Sequence, residues 1–190
     1  FGGGPVSKAL SFDGNTIVCF PAGTLDASKP FSVAFWMRVG RNQGQPAVRM
    51  SDGGGTFEIA LLKPKTLPML RRGHPLQITL RTAGFEFLQN TQQQVTLVSD
   101  GSGRAEGIAL YLDAKPLPLK TVRSTLNGPL ALRAPVEIGD ATRGRPFTGS
   151  LDDLRFYGRG LQRAEVERVA LHYPAEVLLA TPGKRTRDQW

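Results

Sequence analysis

The sequence is poor in the residues from which reactive and metal-binding centres are most often built. Cys19 is the only cysteine, and His74 and His172 are the only histidines, in 190 residues. One cysteine excludes an internal disulfide. No second soft ligand or neighbouring base stands in motif spacing with it, so Cys19 is expected to be a small buried residue of the strand-like run Thr16-Ile17-Val18-Cys19-Phe20. His74 falls in a proline-rich loop. His172 falls near the end of a helical pattern, where a cation complements the helix dipole. Neither stands in a Ser/His/Asp or Cys/His arrangement, and no glycine loop of phosphate-cradling type occurs. No stretch approaches the roughly 18 consecutive apolar residues of a membrane span. A signal peptide is also missing, and the chain opens Phe1-Gly2-Gly3-Gly4 rather than with Met, as expected of a piece of a longer protein.

Negative charge is the next shortage. Lys and Arg number 24 against 16 Asp and Glu, for a net charge of +8. Such an excess attracts polyanions in general. The cations are scattered, however, and neither an aromatic-interleaved RNA-binding motif nor a helix-turn-helix pattern accompanies them. Nucleic acid is therefore not the expected partner, whereas an acidic glycan is compatible with the charge.

What the sequence does contain is alternation. Phe31, Val33, Phe35 and Met37 share one face of a strand, and Ser32, Ala34, Trp36 and Arg38 the other. Phe57, Ile59 and Leu61 repeat the pattern, as do Ile108, Leu110 and Leu112, with Tyr111 facing outward. Further strands are expected at 9–13, 47–50, 77–81, 85–88, 94–98 and 136–138. Residues 63–75, with three prolines, read as loop or edge. Gly149-Ser150 reads as a turn leading into a strand whose Leu154 and Phe156 point opposite to Arg155 and Tyr157. After Leu161 the period changes to that of a helix, with Val166, Val169, Ala170 and Tyr173 on one side. Closely spaced strands, one terminal helix and no βαβ alternation predict an all-β fold: a two-sheet antiparallel β-sandwich with one short C-terminal helix.

Four stretches carry a more specific signal. They are Leu10-Ser11-Phe12-Asp13-Gly14, the Phe31–Arg38 strand running into Trp36, the segment from Asp100-Gly101-Ser102-Gly103 to Leu110-Tyr111-Leu112-Asp113, and Gly149-Ser150-Leu151-Asp152-Asp153-Leu154-Arg155-Phe156. In order and spacing they resemble the LamG-like (concanavalin A-like lectin/glucanase) jelly rolls over roughly residues 8–172. Departures are Gln92-Gln93-Gln94 in place of an aromatic–His–His run, Asp113-Ala114 in place of an Asn-Gly turn, and Gln162 where the family has serine. The resemblance divides the chain into a glycine-rich lead (1–8), the jelly roll (9–173) and a linker (174–190). The tail Leu178–Gln189 is similar to segments that follow such domains in large secreted bacterial proteins that also carry cytochrome c-like domains, which implies an extracytoplasmic location and a longer parent.

The resemblance also implies functional residues. In family members a structural Ca²⁺ uses the opening turn and the acidic pair of the closing motif, which maps to Asp13, Asn15 and Asp152. The alternative is that Asp13 makes only an Asx turn and the acidic pair serves nearby arginines. Trp36 is expected to be packed rather than offered to sugar. The family's enzymes use two carboxylates about 5–9.5 Å apart. The strand glutamates Glu58, Glu86, Glu106 and Glu137 are isolated in sequence, with Asp140 nearest to Glu137, so no catalysis is expected. The implied function is carbohydrate binding within a larger exported protein. An acidic polysaccharide would be held by Arg143, Arg145 and Arg155, and a neutral one would stack on Tyr111 and Tyr157. A structural or protein-interaction spacer, partnered by neighbouring domains, is the alternative, and a glycan hydrolase the third reading.

Overall fold

The computed structural model of the chain describes residues 2–5, 8–21, 23–40, 45–62, 65–72, 76–83, 88–127, 130–139 and 147–171. In chain order its strands are β1 (Gly2–Gly3), β2 (Lys8–Asp13), β3 (Val18–Phe20), β4 (Thr24–Asp26), β5 (Phe31–Val39), β6 (Gln45–Asp52), β7 (Gly55–Leu62), β8 (Lys65–Arg72), β9 (Leu76–Thr82), β10 (Gln92–Ser99), β11 (Ile108–Leu112), β12 (Lys115–Pro116), β13 (Leu119–Ser124), β14 (Ala131–Arg133), β15 (Val136–Ile138) and β16 (Thr148–Tyr157). One helix, α1 (Arg163–Leu171), follows. The strands form two antiparallel seven-stranded sheets, ordered β1-β2-β16-β5-β10-β11-β12 and β13-β9-β8-β7-β6-β15-β3, with a small β14-β4 pair between connections. The sandwich expected from the alternating rows is the fold observed.

The inward rows make the core. Val33, Phe35 and Met37 of β5, with Val95, Leu97 and Leu110 beside them, face Met50, Phe57, Ile59, Ile78 and Leu80 of the other sheet, all within 1% of full burial. Phe31 meets Phe57 edge-on across the sheets, ring centroids 5.7 Å apart at 88°. Such a pair adds about 0.5–1.5 kcal/mol beyond the area it buries.

Strand β5 is covered on both faces, which one alternating row alone does not demand. Ser32, Ala34 and Trp36 on its outer face are buried as well, so Trp36 packs as expected. Ser32 explains how the chain after β16 is held there: its hydroxyl donates to the carbonyl of Arg159 and accepts the N–H of Leu161, both at 3.0 Å. Helix α1 then lies against β10 and buries Val166 and Ala170. Gln162, a poor N-cap by residue type, is compensated. Glu165, three residues on, accepts the Gln162 N–H (2.9 Å) and clasps Arg159 through both oxygens (2.7 and 2.8 Å).

Several local expectations are corrected. Residues 65–72 are a strand, not a loop, and β8 sits inside the sheet. Pro68 is tolerated because the β9 ladder begins only at Met69, leaving Pro68 paired with β7 alone. Gly149 and Ser150 are not a turn but part of β16, and their stretch (148–151), rather than 153–157, pairs with β2. Cys19 is exposed, because β3 is the last strand of its sheet and Cys19 stands opposite Glu137 on the outward side. The expected 85–88 strand falls largely on residues outside those described, as do His74, His172 and the 174–190 linker. The glycine-rich lead has a steric reason at Gly4, where a Cβ would collide with the Asp152 carboxylate.

The hairpin β11–β12 keeps its two-residue turn without the Asn-Gly pair: Asp113 (φ 48°) and Ala114 (φ 63°) both adopt left-handed conformations, as a type I′ turn requires. Asp113 anchors itself by accepting the Gln94 N–H at 2.8 Å. Ala114 has no such compensation, so Ala114→Gly is expected to raise stability by about 1 kcal/mol in denaturant unfolding. No gain, or a loss, contradicts the strain. Ser32→Ala is expected to lower it by about 1–3 kcal/mol, since it strands the buried Leu161 N–H; a change below about 0.5 kcal/mol contradicts the clamp.

Candidate functional site

A cleft of about 900 Å³ opens between the two sheets at the side where β2 and β16 stand over β15 and β3. Its floor is core: Phe31, Met50, Val136, Ile138 and Leu151. Its mouth carries one phenyl ring from each sheet, Phe20 of β3 and Phe156 of β16, each 40% exposed. Polar residues stand around them: Asp26, Asp153, Lys8 and Lys29, while Asp152 lines the wall along β16 but is buried and in register with the outward-facing Trp36.

A β-bulge shapes this wall. Asp152 pairs with Trp36 and Arg155 with Ala34, so two residues of β16 oppose the single Phe35 of β5. The extra residue is accommodated by Asp153 in the left-handed region, φ 51°. Beyond the bulge the alternation resumes with Phe156 opposite Val33, on the inner face, and Arg155 and Tyr157 on the outer one, as the sequence pattern predicts. Asp153 binds Arg155 (Oδ1 to Nε, 2.7 Å). Burial disfavours the Arg155 cation, but Asp153 and Tyr157 beside it outweigh that and hold the guanidinium above its ordinary pKa.

The residues expected from the sequence are thus dispersed. Asp152 and Tyr157 line the cleft wall along β16 but stand in register with outer-face residues of β5, Trp36 and Ser32, and Arg155 lies on that outer face opposite Ala34. Tyr111, half-buried on β11 between Thr96 and Pro116, lies three strands from β16 in the same sheet. Arg143 and Arg145 lie outside the described residues. Phe20 and Phe156 carry no signal in the sequence as ligand residues; their exposure next to apolar runs is a consequence of register and edge position.

The Ca²⁺ trio does not fit a single ion. Asp13 pairs with Thr148 and Leu10 with Leu151, so Asp152 lies four positions along the ladder from Asp13, about 13 Å at roughly 3.3 Å per residue. Asp13 Oδ1 instead accepts the N–H groups of Asn15 (2.8 Å) and Thr16 (3.2 Å) and the Thr16 hydroxyl (3.1 Å), an Asx turn that uses Asn15 through its backbone. Among the described residues no group of three or more His, Cys, Asp or Glu gathers to hold a metal.

Two glutamates isolated in sequence meet in space. Glu58 and Glu137 flank Arg49 in one cross-strand row, Glu137 at 2.8 Å and Glu58 at 3.9 Å from the guanidinium. Both carboxylates reach one guanidinium, so their oxygens lie within about 9 Å of each other, inside the range of an inverting pair. Arg49 between them turns the row into an ion-pair lock across three strands, with the cation where a substrate and water would have to stand.

The surface carboxylates act mainly on turns. The Asn15 N–H lowers the pKa of Asp13, the Ser28 hydroxyl that of Asp26, the Arg133 N–H that of Asp52, and the Ser102 hydroxyl that of Asp100. The Arg159 guanidinium pushes Glu165 down to about 2.

Comparisons with known proteins agree with this fold. The binding domain of Paraclostridial Mosquitocidal Protein 1 is similar in structure (TM-score 0.68, 18% identity, covering 88% of this chain and 44% of that one). So is domain 4 of AbnA, a GH43 extracellular arabinanase from Geobacillus stearothermophilus, solved with arabinotriose (0.66, 16%, 88% and 78%). A heptameric SAP-like pentraxin from Limulus polyphemus also matches (0.62, 17%, 86% and 82%). At these identities the likeness is one of fold, and the chain spans less than half the length of the first. No curated protein sequence matches. The sequence profile of Laminin_G_3, the Concanavalin A-like lectin/glucanases superfamily, matches residues 12–167.

Folding depresses the pKa of these carboxyls, so the unfolded chain takes up protons first as pH falls. Their contribution is complete above the ordinary carboxylate range and is lost on acidification toward about 2, the Glu165 value. Melting temperature is therefore expected to fall steadily from about pH 4.5 to pH 2, less steeply in Glu165→Gln; a flat profile contradicts this. Asp13→Ala is expected to lower it equally in EDTA and in Ca²⁺. Loss of a Ca²⁺ response in that variant would restore the metal reading.

Proposed function

From the premise that this chain belongs to the concanavalin A-like lectin/glucanase superfamily, we propose that it is a non-catalytic carbohydrate-binding module that takes its ligand in the inter-sheet cleft. One observation carries the reading: two half-exposed phenyl rings, one from each sheet, flank an apolar cleft rimmed by carboxylates and amines. An oligosaccharide has that mixture of C–H faces and hydroxyls, and about 900 Å³ lies within the usual range of small-ligand sites. The neighbours support binding over catalysis. Binding domains recur among them, and one was solved with arabinotriose. The Glu58–Arg49–Glu137 lock supports it too, since neither glutamate stands free beside an open site. The resemblance of residues 178–189 to segments of large exported proteins supports placing the module, outside the cytoplasm, in a longer parent.

A glycan array spanning neutral, uronic and sulfated polymers tests the reading. Binding that is lost in a Phe20→Ala/Phe156→Ala double variant is expected. Failure to bind any glycan contradicts it and leaves the domain as a spacer or protein-interaction module.

A further inference from the structure

The cleft does not share the cationic excess of the chain, and this narrows the ligand class. The chain has an excess of eight cations, whereas the cleft presents two carboxylates, Asp26 and Asp153, against two ammonium groups, Lys8 and Lys29, Asp152 being buried in register with the outward-facing Trp36. The cations nearest these carboxylates are also engaged. Lys29 stands 3.6 Å from Asp26, and Arg155 is bound at 2.7 Å by Asp153. A sulfate or uronate entering here would meet carboxylates rather than free guanidinium forks. The groups left to act on a ligand are the phenyl faces, which need no charge, and the unused carboxylate lone pairs, which accept hydroxyl protons.

Resting on the carbohydrate reading, we propose that the cleft is selective for neutral oligosaccharides, gripping one sugar ring between Phe20 and Phe156 and accepting its hydroxyls at Asp26 and Asp153. The two rings come from strands of opposite sheets, so a ring inserted at the mouth contacts both walls, and the sheet spacing of about 10 Å limits the insertion to one ring's thickness. Stacking and hydroxyl hydrogen bonds involve no ion release, so this mode is insensitive to salt, unlike exposed ion pairs, which are screened within about 8 Å at physiological ionic strength.

Titration calorimetry separates the possibilities, using matched neutral and uronic oligosaccharides taken from the array hits, at about 50 mM and 500 mM NaCl. The proposal expects the neutral ligand to bind with affinity changing less than about twofold across that range. Phe20→Leu and Phe156→Leu preserve apolar volume but remove the aromatic face, and each is expected to weaken binding about tenfold or more, with far-UV spectra and melting unchanged; Tyr111→Ala is expected to leave binding intact. Preference for the uronic ligand with a several-fold loss in high salt overturns the proposal and moves binding out of the cleft to cations elsewhere, Arg143 and Arg145 among them, while carbohydrate binding as such survives. Neutral binding indifferent to both leucine variants also overturns it. Absence of any glycan binding overturns both readings together.

Discussion

The pairing of β16 with β5 is the constraint on which the remainder of the structure depends. It joins the end of the jelly roll to the strand buried on both faces, and so decides what must cover the outer side of β5. The Ser32 clamp and helix α1 answer that need with specific hydrogen bonds and a small apolar face. The same ladder contains the bulge at Asp153, which turns Phe156 to the inner face at the open side of the sandwich. Fold closure and cleft formation thus come from one stretch of ten residues.

The open side is also where the sheets' edge strands differ in character. At the far edge, β13 is interrupted by a bulge and exposes Lys120 and Arg123, and β12 ends in Pro116, features that discourage pairing with other strands. At the cleft edge β3 is only three residues long, and Phe20 and Ile17 are 40% exposed. The far edge also exposes Val122 on β13, but only at the cleft edge do exposed phenyl rings stand beside a concave opening, as at a recognition site.

Much of the architecture was legible because alternation is local. The rows of β5, β7 and β11, the helical period after Leu161, and the outward Arg155 and Tyr157 follow from residue spacing alone. Register is not local. Asp13 and Asp152 sit in the two strands expected to adjoin, yet the ladder pairs Thr148 with Asp13 and so separates the two carboxylates by four positions. The meeting of Glu58, Arg49 and Glu137 across three strands is invisible for the same reason. Edge position likewise decided Cys19, whose run reads as core but whose side chain faces outward from a terminal strand. Pro68 hid a strand because a proline matters only where its nitrogen would face a ladder.

The central claim is that ligand enters between the sheets at Phe20 and Phe156. Backbone amide chemical-shift mapping during titration with a neutral oligosaccharide tests it most directly. The account predicts that the largest shifts cluster at residues 20, 25–26, 153–154 and 156–158, with Tyr111 and its neighbours on β11 silent. Shifts confined to the β11–β12 end, or to residues 140–146, would contradict it.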